Sequence, residues 1–166
     1  YLAIIACYVP IYQLSFNQNW LENYPTTTYE SRSLIQAQLQ EPREEERIKA
    51  TIQADAEVTD VVSAKVQDMY EENPYPRYRY ANYTDKSLVQ NISKVIEIES
   101  IKQNLQFSES LIANNSRPKV LIAGCGTGNQ VIDASRYKNA QITAIDLSSS
   151  SLAYAIRKAN EYGMDN

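Results

Sequence analysis

Gly124, Gly126 and Gly128 are three of the chain's four glycines and fall within five positions. Glycine alone enters positive φ without steric cost, and it leaves room for a ligand against the backbone. The segment that follows, from Asn129 to about Arg136, reads as a helix. Its first N–H groups have no partner inside the helix, and with the helix dipole they attract a carboxylate or a phosphate. Asp146 stands at the carboxyl end of the next strand, eighteen residues beyond Gly128. From there its carboxylate could accept hydrogen bonds from both hydroxyls of a ribose. Together these residues describe a pocket for a nucleoside-bearing ligand.

Two strands and two helices must position them. Val120 to Ala123 are apolar without alternation, which suits a parallel strand covered on both faces. Gln141 to Ile145 forms the second strand and ends on Asp146. Crossovers of this kind are right-handed in nearly all cases, so the glycine loop and Asp146 belong at one edge of the sheet. A last helix carries Leu152, Ala155, Ile156 and Ala159 on one stripe, with Ser148 or Ser149 as its cap and Gly163 as its end.

The glycine spacing separates ligand classes. A dinucleotide site wants Gly-x-Gly-x-x-Gly, and the third glycine would fall at Asn129. That disfavours a nicotinamide oxidoreductase. A Walker loop needs Gly-Lys-Ser/Thr after four intervening residues, and the chain has none. Ala123-Gly124-Cys125-Gly126-Thr127-Gly128, followed by an acidic strand end, resembles class I S-adenosylmethionine-dependent methyltransferases. Tyr70-Glu71-Glu72-Asn73-Pro74-Tyr75-Pro76-Arg77-Tyr78, Ala144-Ile145-Asp146-Leu147-Ser148 and Ser151-Leu152-Ala153-Tyr154-Ala155 are similar to bacterial members often fused to tetratricopeptide repeats. Glu41-Pro42-Arg43-Glu44-Glu45-Glu46-Arg47 is similar to an upstream segment of that group.

The resemblance implies an α/β fold: an incomplete Rossmann-like methyltransferase core, its first βαβ unit, behind a mostly helical N-terminal region. It implies S-adenosyl-L-methionine as cofactor, held by Ala123, Gly124, Cys125, Gly126, Gly128, Asp146 and Leu147. One departure stands out. Many class I enzymes carry an acid two positions before the first glycine, where it helps hold the cofactor's amino group; here that residue is Ile122. The family core has about seven strands, so the rest of the acceptor pocket and any catalytic residues are expected beyond Asn166, and this stretch alone is expected to bind cofactor weakly or not at all.

Composition narrows the chemistry further. Hydrophobic residues make up 43% and charged ones 22%, a globular balance. The net charge of −4 gives no sign of a basic face for nucleic acid. The chain has no histidine, which removes Ser-His-Asp and Cys-His mechanisms from these residues. Methyl transfer tolerates this, because a general base is optional. Cys7 and Cys125 form neither a disulfide framework nor a zinc pattern, so a reducing, cytoplasmic setting is the natural reading. Cys125 at a helix start could favour a thiolate, although a small filler in the turn is the plainer account.

Upstream, Leu2, Ile5, Val9 and Tyr12 fall near helical spacing in an apolar segment too short for a membrane span. A second helix is expected over Tyr29 to Gln40, interrupted by Pro42 and resumed from Glu44 to Ala50. Val58, Val61, Val62, Val66, Met69 and Tyr70 describe an amphipathic helix capped by Thr59 or Asp60 and stopped near Asn73 by Pro74. The aromatic loop beyond it, to Tyr83, is either a lid in which Tyr75 and Tyr78 cover the ligand or packing of this segment onto the sheet. Leu88, Val89, Ile92, Val95 and Ile96 follow helical spacing behind an Asp85 cap, and Asn114 to Pro118 is a break.

Three regions follow: residues 1–57, a helical region read as the end of an upstream helical domain; 58–115, a segment packing on or covering the core; and 116–166, the start of the cofactor-binding domain. The methyl acceptor is not legible, and the N-terminal helices could dock a protein partner. The rival reading is a non-catalytic binding or scaffolding module that keeps a remnant of the methyltransferase domain.

Overall fold

The structure is a computed structural model and describes residues 1–15, 21, 25–53, 58–81, 89–108 and 117–164. The chain divides into two units, Tyr1–Gln53 and Ala54–Asn166. In the first, α1 (Leu2–Ala6) ends well before Tyr12, and a separate 3-10 turn covers Ile11–Gln13. The single apolar stripe expected here is broken because Pro10 disfavours helix at Val9. Ile11 is buried in its place, while Ile5, Val9 and Tyr12 are exposed.

α2 (Tyr29–Ile35) starts on Thr28, whose side chain accepts the Ser31 N–H at 3.3 Å. It runs without interruption through a π-helical turn, Gln36–Gln40, into α3 (Glu41–Lys49). The expected break at Pro42 is absent. Proline there has no N–H for the carbonyl four residues back, and the widened turn just before it takes up the mismatch. Leu39 and Ile35 project from this stretch onto Ile11 and Leu21, the buried core of the unit.

The second unit opens with α4 (Val61–Glu72), capped by Asp60, which accepts the Ser63 N–H at 2.7 Å. That bond holds the Asp60 carboxyl below its ordinary range. α5 (Ile92–Gln103) starts later than the sequence spacing indicates and ends at Asn104 in the left-handed region, φ 52°. Just before it, Gln90 is extended and pairs in parallel with Tyr137. Tyr83, Asp85, Leu88 and the 114–116 part of the break lie outside the described residues.

β1 (Lys119–Ala123) and β2 (Gln141–Ile145) pair in parallel, with Val120 opposite Ile142 and Ala123 opposite Ile145. Between them lie α6 (Asn129–Asp133) and a 3-10 turn, Ala134–Arg136. Both strands alternate between exposed and half-buried residues. The expectation of cover on both faces therefore fails among the described residues: Leu121 is 63% exposed, while Val120 and Ile122 are half-buried.

α7 (Ser149–Glu161) is capped by Ser148, which accepts the Ser151 N–H at 3.0 Å. It ends in a Schellman turn: Met164 N–H donates to Ala159 O at 3.0 Å and Gly163 N–H to Asn160 O at 3.0 Å, with Gly163 at φ 66°. Its buried face is wider than the expected stripe. Ala155 is buried, but so are Tyr154, Arg157 and Lys158, and Ile156 is exposed. The aromatic segment after α4 explains this. Tyr78 meets Tyr154 edge-on at 5.5 Å, the Arg157 guanidinium lies over the Tyr154 ring, and Lys158 Nζ donates to Arg79 O at 2.8 Å. Rings, the Arg79 carbonyl and the Glu161 carboxylate, 3.3 Å from Arg157 and 2.9 Å from Lys158, thus receive cations that would otherwise be costly to bury. Among the described residues, no helix is long and apolar enough to cross a membrane.

Candidate functional site

Beyond β1 the chain turns at once. Cys125 N–H donates to Ile145 O at 3.0 Å, extending the strand pairing by one bond. Gly128 N–H closes a tight turn on Cys125 O at 2.9 Å, and Ile132 N–H to Gly128 O starts α6. Gly124, Gly126 and Gly128 all have positive φ, at 67°, 51° and 84°. Their uses differ. A Cβ on Gly124 would meet nothing within 4 Å, so the bend is open there. A Cβ on Gly128 would sit 2.5 Å from Ala155 Cβ, so this glycine lets the loop press against α7. α6 is only five residues long, so its aligned dipoles are few and its pull on an anion is small.

Asp146 faces the loop across the sheet edge. Its Oδ2 accepts Gly126 N–H at 2.7 Å and its Oδ1 accepts Ser148 N–H at 2.9 Å. Placement of the loop and the carboxylate at one edge is therefore direct. The sequence pattern gives Asp146 only a ligand to hold; in the structure one carboxylate also ties the glycine loop to the start of α7. Each oxygen keeps a further lone-pair direction for a hydroxyl.

A cavity of about 680 Å³ opens at this edge. Its volume falls within the range of about 300–1,000 Å³ usual for small-molecule sites. Gly124, Cys125 and Gly126 line one side, with Asp146 and Leu147 beside them. Ala123 and Gly128, expected among the contact residues, are outside the wall: Ala123 ends β1, and Gly128 is buried against Ala155. The opposite wall comes from α4 and the aromatic segment, through Val66, Gln67, Tyr70, Tyr75 and Pro76. Tyr75 and Tyr78 divide the two roles left open by the sequence. Tyr75 lines the cavity and is 73% exposed. Tyr78 packs inward, donating its hydroxyl to Thr127 O at 2.9 Å, and burial pushes that hydroxyl's pKa well above the usual tyrosine range.

Several residues of this network are not evident from sequence. Thr127 occupies a variable place in the glycine motif; it is buried, and its Oγ1 donates to Pro76 O at 2.7 Å. Glu71 belongs to an acidic pair that looks solvated. Its carboxylate accepts the Ser149 N–H, Ser149 Oγ at 2.9 Å and Ser150 Oγ at 2.7 Å. Four residues before it, one helical turn away, Gln67 Nε2 donates to Leu147 O at 2.7 Å. The four-residue spacing of Gln67 and Glu71 is the one available signal. α4 thus grips the loop after β2 at two points, and the Glu71 charge complements the N-terminus of α7.

Cys125 is 6% exposed, and burial, with the neighbouring Asp146 charge, pushes its thiol from 9.0 up to about 11. The thiolate reading is thereby overturned: at neutral pH the group stays protonated. Because the folded value is the higher one, the stability this thiol lends is complete below pH 9.0 and is lost as pH climbs through about 11. Cys7 is exposed. Native protein at pH 7.5 is expected to take up one equivalent of iodoacetamide rapidly, at Cys7, with Cys125 alkylated at least about tenfold more slowly. Peptide mass mapping over time reads this, and equal rates would contradict the buried turn.

Residues 120–166 match the family model of a methyltransferase domain. The glycine loop, Asp146 and α7 all fall inside that stretch. Nothing matches among the curated proteins or the solved structures. The methyltransferase match thus covers the glycine-loop and Asp146 part of the cavity lining, whereas Gln67, Tyr70 and Tyr75 in the lining precede it.

Proposed function

We propose that this chain binds S-adenosyl-L-methionine and serves methyl transfer to an acceptor still to be identified. The observation that carries the reading is an open glycine bend hydrogen-bonded to the Asp146 carboxylate, both lining a cavity of about 680 Å³, inside residues that match a methyltransferase domain. The bound sulfonium would supply an electrophilic methyl group. The protein's own task is then alignment, which can be worth about 7–11 kcal/mol in ideal cases. In this reading Asp146 accepts the ribose hydroxyls with its remaining lone pairs. Gly124 and Gly126 give the amino-acid part room along the backbone, and Leu147 and Tyr75 supply apolar cover. With Ile122 in place of the usual acid, the ligand's ammonium is left to carbonyls of the loop. The tetratricopeptide-linked type of enzyme fits the Tyr70–Tyr78 motif and belongs to the same proposal.

Calorimetry on the full-length protein tests this. Saturable binding of S-adenosylmethionine and S-adenosylhomocysteine is expected, with no binding of NADH. Transfer of label from methyl-labelled cofactor to a component of cell extract separates the enzyme from a binding module that only retains the pocket. Absence of binding to either sulfur nucleoside would refute the proposal.

A further inference from the structure

Ser151 is the third residue of α7, lies in the cavity wall and is 1% exposed. Its N–H is used on Ser148 Oγ, but its own Oγ is buried and has no hydrogen-bond partner. It is the only cavity-lining residue in this condition among the described residues. The two backbone groups a serine normally uses at this place are engaged elsewhere. In a capping box the third side chain reaches back to the N–H of the cap residue. Here that N–H, on Ser148, is given to Asp146 Oδ1 at 2.9 Å. A serine inside a helix otherwise bonds the carbonyl four residues back. Here that carbonyl, of Leu147, accepts from Gln67 Nε2 at 2.7 Å.

A buried hydroxyl left without a partner destabilises the free protein, and a ligand that brings a polar atom to it recovers the loss. We propose that Ser151 Oγ hydrogen-bonds the nucleoside part of the bound ligand and helps select it. This rests on the methyl-donor reading above. Under that reading Asp146 holds the ribose, and Ser151, five residues on in the chain, lines the same cavity. The amino-acid part lies along the glycine loop instead. A hydroxyl both donates and accepts, so it serves a ring nitrogen or a ribose oxygen equally.

The test compares wild-type full-length protein with Ser151→Ala. Affinities for S-adenosylhomocysteine and for adenosine are measured by calorimetry, and the melting temperature without ligand by calorimetric scan. Ser151→Ala is expected to melt at the same temperature or higher, because it removes an unpartnered buried hydroxyl, and to bind both ligands about five- to tenfold more weakly. Unchanged affinity for both ligands, in a wild type that binds, overturns this proposal and leaves the methyl-donor reading intact. A loss confined to S-adenosylhomocysteine puts the contact at the amino-acid end and overturns it too. A lower melting temperature shows that the hydroxyl has a structural partner, which equally overturns it. Failure of the wild type to bind S-adenosylhomocysteine removes the methyl-donor reading, and this inference with it.

Discussion

Gly128→Ala is expected to destabilise the Ala54–Asn166 unit by about 2–5 kcal/mol, from about 1–3 for overpacking and about 1–2 for a left-handed alanine. The added methyl would lie 2.5 Å from Ala155 Cβ and 2.9 Å from Ala155 Cα. Backbone cannot step aside as a flexible side chain does. The loop must then lift off α7, carrying the Gly126 N–H away from Asp146. A drop in melting temperature of about 10 °C or more follows for a unit of this size. Gly124→Ala is the contrast. It meets nothing within 4 Å, so only the cost of its φ of 67° applies, about 1–2 kcal/mol. Thermal unfolding of the two variants side by side decides the matter, and equal melting temperatures would contradict the close packing of Gly128 on α7.

Asp146→Asn is expected to weaken binding of S-adenosylhomocysteine by about 100-fold or more. Both carboxylate oxygens accept backbone N–H groups, from Gly126 and Ser148. An amide can accept only one of them, and its NH₂ group then faces the other, donor against donor. Hydrogen bonds to a charged group are worth about 1.5–3 kcal/mol each. Losing one such bond loosens the loop, and losing the charge weakens the grip on ribose hydroxyls. Affinity and stability are therefore expected to fall together. Calorimetric titration and urea unfolding of the same preparation read both. An unfolding midpoint equal to wild type, or affinity within about threefold, would show that Asp146 does not join the two elements as the distances imply.

The parts of the site that are legible in the sequence are those governed by local chemistry. Gly124, Gly126 and Gly128 announce a bend because no other residue takes that backbone freely. Ser148 and Gly163 mark the limits of α7 by capping rules that act over three or four residues. The parts that are not legible depend on partners distant in sequence. Glu71 is 78 positions from Ser149, and nothing in a Glu-Glu pair says that one member is bonded to a helix start. Arg157 and Lys158 fall outside the apolar stripe of α7, and their burial depends on Tyr78 and the Arg79 carbonyl, far away in sequence, as well as on Tyr154 and Glu161 nearby. Pro42 misleads for the opposite reason: a local rule is sound, but a wider helical turn accommodates it.

Gln67, Glu71 and Tyr75 stand more than forty positions ahead of residue 120, where the methyltransferase match begins. Heredity and enclosure thus draw different borders on this molecule. A graft of residues 120–166 into a foreign scaffold would transplant the bend and its carboxylate as an open saucer, with no roof and with the start of α7 deprived of its negative counterweight. Any redesign of the cavity's shape therefore has its freest material in α4, which the methyltransferase match does not reach.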